Sequence, residues 1–556
     1  MCGIWAYLAK TKLIKDSKIS LLQEKYKNIK GRGPENENFM NINDNVIFGF
    51  HRLCIVDVSE EANQPFVIKD DNRKLYLMCN GEIYNKDSLI DNHNLTCKSS
   101  SDCEPIIHLY KKYGIEKTVD LLEGVFAFNL LDVDLVKNTC KFIAVRDRIG
   151  VRPMFMGHNE NKEYGFSSEV KGLSGIFESI EVFTPGTIVT LNYNLNDVNF
   201  KLSKQIYYPF DYDTKLTDLE TIYPLVRYQF TESVRKRLMS DRPVCCLLSG
   251  GLDSSLVTAI VASLSDNPIH TFSIGMPGGT DFKYAKMVAD KIGSVHTEII
   301  FSKDEGIKAI KDVIWAIESY DITTVRASVG QYLISKYIKD NTDNIVIYIG
   351  DGSDELTGGY KYFCNAPNPE LFHKECVKLI KEIHLYDCLR ADRAVSIHGL
   401  ETRVPFLDSS FVDLYLSIDP KLRMPVNGIE KHLLRKAFDS EDLLPKEVLW
   451  REKEAFSDGV SSQKESWFQI LQNHINQERS DEEFEMEALK YTLNTPLTKE
   501  AYYYRKVFGE LFDEKHSNVI PHFWLPNWSG NITEPSARVL DVYKSNNKTE
   551  NIVSNN

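Results

Sequence analysis

A chain of 556 residues with 42% hydrophobic and 26% charged residues has the length of two or more domains at roughly 150 residues each and an ordinary composition for packed cores. The formal charge of −13 excludes a general basic face, so nucleic acid is not an expected partner, although a local cationic pocket remains open. Eleven cysteines without a Cys-x-x-Cys pair make neither a disulfide framework nor zinc spacing, and read as reduced core thiols. The amino terminus lacks the basic and long apolar regions of a signal peptide, and no apolar run approaches the roughly 18 residues of a membrane span. The expected setting is soluble and cytoplasmic, with no membrane partner.

In chain order, Met1-Cys2-Gly3-Ile4-Trp5-Ala6-Tyr7-Leu8 puts a thiol ahead of a strand-like run. If Met1 is removed, Cys2 gains an α-amine titrating near about 8 beside a thiol near about 8.5, so one residue supplies both nucleophile and base. A cysteine at position 2 is by itself a weak signal. Its companions are Gly31-Arg32-Gly33-Pro34-Glu35, a rigid turn carrying a cation, and His51-Arg52-Leu53-Cys54-Ile55-Val56-Asp57, an Arg beside a strand. Asn80-Gly81-Glu82-Ile83-Tyr84-Asn85 joins an amide, a flexible backbone and a carboxylate, and Ser101-Asp102-Cys103-Glu104 opens a helix. Each alone reads as a turn or cap. Strands are predicted at 46–50, 74–78, 124–131 and 140–145, with helices at 17–29 and 102–113, a pattern of layered sheets.

Together and in this order, these motifs resemble the class II glutamine amidotransferases. The resemblance implies an α/β/β/α sandwich in which Cys2 attacks the glutamine side-chain amide and Asn80 with Gly81 forms the oxyanion hole. Arg52 would pair with the substrate α-carboxylate, Glu82 and Asp102 would hold its ammonium, and Ile55 and Val56 would complete the glutamine pocket. The family's usual His-Arg-Gly-Pro-Asp turn departs here at Gly31 and Glu35. Arg146–Pro153 and Phe166–Lys171 also resemble family segments, although from sequence alone they read equally as surface ion-pair loops.

Polar residues with scattered Tyr, Pro and Asp place a linker at 201–225. Beyond it, strand-like and helix-like runs alternate at 243–248, 254–264, 269–274, 282–292, 296–301, 304–318 and 345–349, which predicts a parallel sheet covered by helices. Its ligands belong at the carboxyl ends of the strands. Ser249-Gly250-Gly251-Leu252-Asp253-Ser254-Ser255 stands at one such end. Strand, Gly-Gly turn and helix start form an anion site, and no Lys follows the glycines as in a Walker loop. Gly350-Asp351-Gly352-Ser353-Asp354-Glu355 stands at another; three crowded carboxylates favour a cation, and hard oxygen ligands suit magnesium. Glu318–Ser328 holds an Arg near two hydroxyl residues, which alone is no more than a helix start.

The Ser249 stretch resembles the pyrophosphate loop of the N-type ATP pyrophosphatases, and the whole chain to about residue 540 resembles the glutamine-hydrolysing asparagine synthetases of the bacterial B type. The resemblance implies ATP binding by Leu248, Ser249, Gly250, Gly251, Asp253, Ser254, Ile274, Gly350, Asp351, Gly352 and Lys453, with magnesium on Asp253 and Asp354. Thr323, Arg326 and Glu355 would bind aspartate, while Asp351 and Lys453 would act in catalysis, Lys453 neutralising phosphate charge. The family's Ser-Gly-Glu-Gly-Ser-Asp-Glu departs here at Ile349 and Asp351. Segments 399–408, 450–459, 502–505 and 535–538 extend the resemblance.

The expected organisation is therefore an amidotransferase domain at 2–200, the linker, a synthetase domain at 226–540 and a disordered tail at 541–556. The expected substrates are glutamine, aspartate and ATP, and homodimerisation is a family expectation. The alternatives are a related amidotransferase-coupled ligase for another acid and a non-catalytic regulatory protein retaining the fold. Cys2 argues against the β-lactam synthetase branch, and the Ser249 loop against a sugar aminotransferase.

Overall fold

The computed structural model describes residues 1–11, 16–454, 459–461, 465–530 and 532–536. The expected tail at 541–556, the 455–458 part of the Trp450 segment and the 537–538 part of the last familial segment lie outside them.

The amino-terminal half is built from two six-stranded sheets. In one, Gly3–Leu8 pairs antiparallel with both Val46–Arg52 and Tyr164–Ser167. In the other, Arg73–Ile83, Gly124–Asp134, Thr139–Arg146 and Thr187–Asn194 form a continuous antiparallel run. Strand alternation decides the layers. Ile4, Ala6 and Leu8 meet Met78, Ala127, Leu131 and Phe142 between the sheets. Trp5 and Tyr7 face the opposite way, towards the helix Asp16–Lys27 and the second domain. Leu75, Leu77 and Phe128 of the second sheet pack against the helix Pro105–Tyr113. This is an α/β/β/α sandwich. The Arg146–Pro153 and Phe166–Lys171 segments are not surface loops. Arg146, Asp147, Glu169 and Lys171 are all buried, and the Asp147 carboxylate accepts backbone N–H groups from Ile149, Gly150, Val151 and Arg152.

The strand Asp197–Ile206 and the helix Leu219–Arg235 both reach into the stretch read as linker. The strand lies at the sheet edge, so its outward residues can be polar, which hides it from a hydrophobicity reading.

The second domain holds a five-stranded parallel sheet in the order Val295–Ile300, His270–Gly275, Val244–Leu247, Val346–Tyr348, Glu401–Arg403. Chain order runs outward in opposite directions from the boundary between Val244–Leu247 and Val346–Tyr348. That boundary is the switch point where such sheets bind ligands, and the Ser249 and Gly350 loops leave these two strands. The helix Leu252–Ser263 contributes Leu256, Val257 and Ile260 to the core that continues through the helices Lys303–Ile317 and Ile322–Asn341.

Candidate active sites

At the amino terminus, the period of two that points Ile4 between the sheets brings Cys2 to the same side, where it packs partly buried against that core. In the facing sheet Asn80 continues the side set by Tyr76 and Met78. Asn80 is fully buried, and neither its Oδ1 nor its Nδ2 has a protein partner. A buried amide left this way costs about 1–3 kcal/mol, so it is a prepared polar site. The Cys2 Sγ lies 3.6 Å from the Leu53 carbonyl, and burial pushes its thiol up to about 11. Met1 precedes it, itself buried, with its ammonium 3.7 Å from Glu401 and pulled below its ordinary pKa by burial. Removing Met1 would transfer the amine function to Cys2.

Asp102 accepts the Ile83 N–H at 2.6 Å, and burial pushes its carboxyl up to about 6. Glu82 is buried 3.2 Å from Arg403; burial drives its pKa well above the usual range despite that cation. Gly81 packs so closely on the neighbouring strand that a Cβ would stand 2.4 Å from the Val125 carbonyl. Ile55 and Val56 are buried in the adjoining loop. Arg52 is turned onto that loop, donating to Ser59 O at 2.6 Å, to Asn63 Oδ1 at 2.8 Å and to Asp57 O.

Arg32, read from sequence only as a cation on a rigid turn, is completely buried. It donates to Cys2 O at 2.9 Å and Glu169 at 2.9 Å, and reaches across to Asp392 at 2.6 Å and Ser396 at 3.0 Å. Arg152 joins it, 3.4 Å from Glu401 and 3.7 Å from Asp392. The strand Glu401–Arg403 therefore contacts the amino-terminal site through its charges while pairing with the strand that leads into Gly350. Sequence reading had no signal for these partners, which stand about 400 residues from Cys2.

The second site is a cavity of about 190 Å³ at the switch point. Leu248, Ser249, Gly251, Asp253, Ser254, Ile274, Thr323, Gly350, Asp351, Gly352, Asp354, Glu355 and Lys453 all line it. Two glycines permit the geometry: Gly250 has φ +74°, and a Cβ on Gly350 would meet Ser254 N at 2.7 Å. The Ser249 and Ser254 hydroxyls are 2.9 Å apart. Gly250 stands behind the lining, its carbonyl held by Arg451 at 3.1 Å.

The charges here are ordered. Lys431 Nζ lies 2.6 Å from both Asp253 and Asp354, and Lys453 Nζ lies 2.6 Å from Asp354 and 3.8 Å from Asp253. Burial would raise the Asp354 carboxyl, but the two ammonium groups outweigh it and hold it well below the usual range. Two carboxylates from adjacent strand ends thus converge on one positive point, and their hard oxygens fit a divalent cation such as magnesium. Lys431 was not read from the sequence. It sits at φ +56°, a conformation costing about 1–3 kcal/mol in a non-glycine residue and invisible in residue type.

Asp351 pairs with Arg390 at 2.5 Å; burial leaves its carboxyl raised despite this cation. Glu355 accepts from the Tyr360 hydroxyl at 2.5 Å and is driven well up by burial and by neighbouring Asp387. The Thr323 Oγ1 is buried without a protein partner. Arg326 is not brought to the cavity. One helical turn beyond the Thr323 position, its guanidinium is clamped by Glu500 at 2.5 Å and Glu534 at 2.5 Å. Among the cations that do line the cavity is Arg390, from the helix Asp387–Ser396.

The family model described as glutamine amidotransferase domain matches residues 1–198, and that described as asparagine synthase matches 225–370 and 365–536. The chain is 46% identical to the asparagine synthetase [glutamine-hydrolyzing] of Gallus gallus and 45% identical to those of Cricetulus griseus and Homo sapiens, in each case over 98% of this chain and 99% of the relative. With both model matches and both sites in one molecule, the chain belongs to the asparagine synthase family.

Proposed function

We propose that the chain makes asparagine from aspartate, using ATP and ammonia taken from glutamine. The observation that carries this reading is the convergence of Asp253 and Asp354 at the switch point, in the cavity that also holds the Ser249 loop. Cys2 attacks the glutamine amide, and the Asn80 amide with the Gly81 backbone receives the oxyanion. Glu82 and Asp102 attract the substrate ammonium. Glutamate leaves after hydrolysis of the thioester. In the second cavity the Ser249–Ser254 loop binds the phosphates of ATP, and the aspartate β-carboxylate attacks the α-phosphate to give β-aspartyl-AMP and pyrophosphate. Ammonia displaces AMP to form asparagine. Magnesium, held by Asp253 and Asp354, would supply charge neutralisation on the triphosphate. Lys453 adds a fixed positive charge from the protein.

For aspartate, the unpartnered Thr323 hydroxyl and Arg390 suit a carboxylate. Glu355 with Asp387 suits an ammonium, which would take the place of the proton that burial and the neighbouring Asp387 favour on Glu355. Arg326, which lies off the cavity lining with its guanidinium clamped by Glu500 and Glu534, takes no part in this assignment. The domain division at 201–225, a cytoplasmic setting and homodimerisation belong to the same reading. No helix of the described residues is long and apolar enough to cross a membrane. The test supplies aspartate, ATP, magnesium and glutamine and identifies all products. Asparagine, AMP, pyrophosphate and glutamate together support the reading; glutamate without AMP refutes the synthetase half.

A further inference from the structure

Outside both sites, Cys97, Glu104 and His108 each bring one ligand atom within 4.8 Å of the others. Their sequence spacing does not advertise this. Glu104 and His108 are four residues apart across the start of the helix Pro105–Tyr113, which stacks them on one face, and the preceding loop folds Cys97 back onto them. The His108 Nε2 lies 3.4 Å from Glu104 Oε1.

The Glu104 carboxylate also gathers the loop. It accepts Lys98 N–H at 2.8 Å on Oε1, and Ser99 N–H at 2.8 Å and Ser99 Oγ at 2.6 Å on Oε2. An ionised carboxylate offers about four lone-pair positions, so these bonds leave one, on Oε1, where it meets the long 3.4 Å contact of His108 Nε2 that an ion between the two groups would replace. Glu104 is buried, while Cys97 and His108 are half-buried, so an ion could enter from solvent without opening the core.

We propose that Cys97, Glu104 and His108 form a binding site for a zinc-class divalent cation. A thiolate, a neutral imidazole and one carboxylate oxygen are the donor set such ions select, with the fourth tetrahedral position left to water. On binding, the metal–sulfur bond replaces the S–H bond of Cys97 and the proton leaves to solvent; no electron is transferred. The site is separate from the magnesium position at Asp253 and Asp354, where all donors are oxygens, and it does not depend on the proposed reaction. It lies within the amino-terminal half and adjoins the candidate glutamine site. Asp102 lies two residues before Glu104, and the Ser100 N–H is bound by Asp57 at 2.7 Å, next to Val56. An ion here would pin the loop that carries Asp102.

The test uses the full chain, stripped with chelator and titrated with Co²⁺ as the spectroscopic probe and with Zn²⁺ in competition. The expected result is one thiolate-bound Co²⁺ per chain, seen as a near-ultraviolet sulfur-to-cobalt charge-transfer band that saturates at one equivalent and that Zn²⁺ bleaches. Cys97→Ser should abolish the band. His108→Gln, which keeps a polar side chain on the helix, should weaken binding by at least about tenfold. Cys2→Ala should leave the band intact, and circular dichroism should confirm that each variant is folded. A band that survives in Cys97→Ser, a band lost in Cys2→Ala, or no stoichiometric binding by the folded wild type overturns the assignment.

Discussion

Replacing Asn80 by Ala separates a functional amide from a structural one, because the two predict opposite effects on stability. Asn80 is completely buried, with both polar atoms lacking a protein partner. In a structural role such an amide would be bonded, and its loss would cost about 1–3 kcal/mol by orphaning the partners. Here no partner is orphaned. Removing the two polar atoms relieves an unfavourable burial of about 1–3 kcal/mol, offset by the small cavity left by the shorter side chain. Stability should therefore change by less than about 1 kcal/mol or rise, on the balance of those two terms. Glutamine hydrolysis should instead fall about 10²–10³-fold in kcat, equivalent to about 2.7–4 kcal/mol, as expected when one oxyanion donor is lost. The assays are glutamate release under saturating glutamine and denaturant unfolding of the same preparation, with asparagine formation from ammonium salts as an internal control. Full glutaminase activity in the variant, or a loss of activity matched by a loss of several kcal/mol of stability, would refute the reasoning.

Cys2→Ala should abolish glutamine-dependent synthesis and leave synthesis from ammonium salts; loss of both would count against two separate sites. Asp253→Asn should lower ATP-dependent synthesis by about 10²-fold or more while glutamate release continues, and undiminished synthesis would remove Asp253 from the metal position. Burial raises the Asp102 carboxyl to about 6, so below that pH it is protonated and no longer attracts the substrate ammonium. The kcat/KM for glutamine should fall as pH drops through about 6, and Asp102→Asn should flatten that limb. Arg326→Met should destabilise the chain by about 3–5 kcal/mol, since it leaves Glu500 buried without its cation. The KM for aspartate in the surviving enzyme should not move; a large rise would return Arg326 to the substrate site.

Much of this architecture was legible because it rests on local pattern. The run Pro243–Leu248 is apolar, short and followed by glycines, so the strand Val244–Leu247 and the loop after it were readable together. Runs at 74–78, 124–131 and 140–145 reported the centre of the second sheet for the same reason. The strands Phe155–His158 and Ser179–Val182 were not read; four residues are too few for a period to declare itself. The phosphate-facing part of the cavity lining was in motifs, since Ser249–Ser254 and Gly350–Glu355 lie at strand ends by topology, whereas Gln331, Tyr360, Asp387, Arg390, Lys431 and Arg435 lay in none. What sequence could not supply was the partner of each charge. Arg326 and Arg390 are both arginines on helices beside the site, and only helix phase turns one to Glu500 and the other to Asp351. Lys431 had no motif around it, and its position between two aspartates depends on a left-handed turn.

The charges that close the boundary between the halves bear on any attempt to separate them. Arg152 has both of its carboxylate partners, Asp392 and Glu401, in the second half, and Glu82 has Arg403 there. Met1 has Glu401, while Lys171 divides between its own Glu169 and the distant Glu318. A fragment ending near residue 200 would retain every predicted glutaminase residue and still be electrically incomplete, with Arg152 stripped of counter-ions and Glu82 of its guanidinium. Cutting the covalent linker would release a module only on paper. Met1 and Arg32, which hold the ends of Cys2, would each lose a partner that belongs to the other piece.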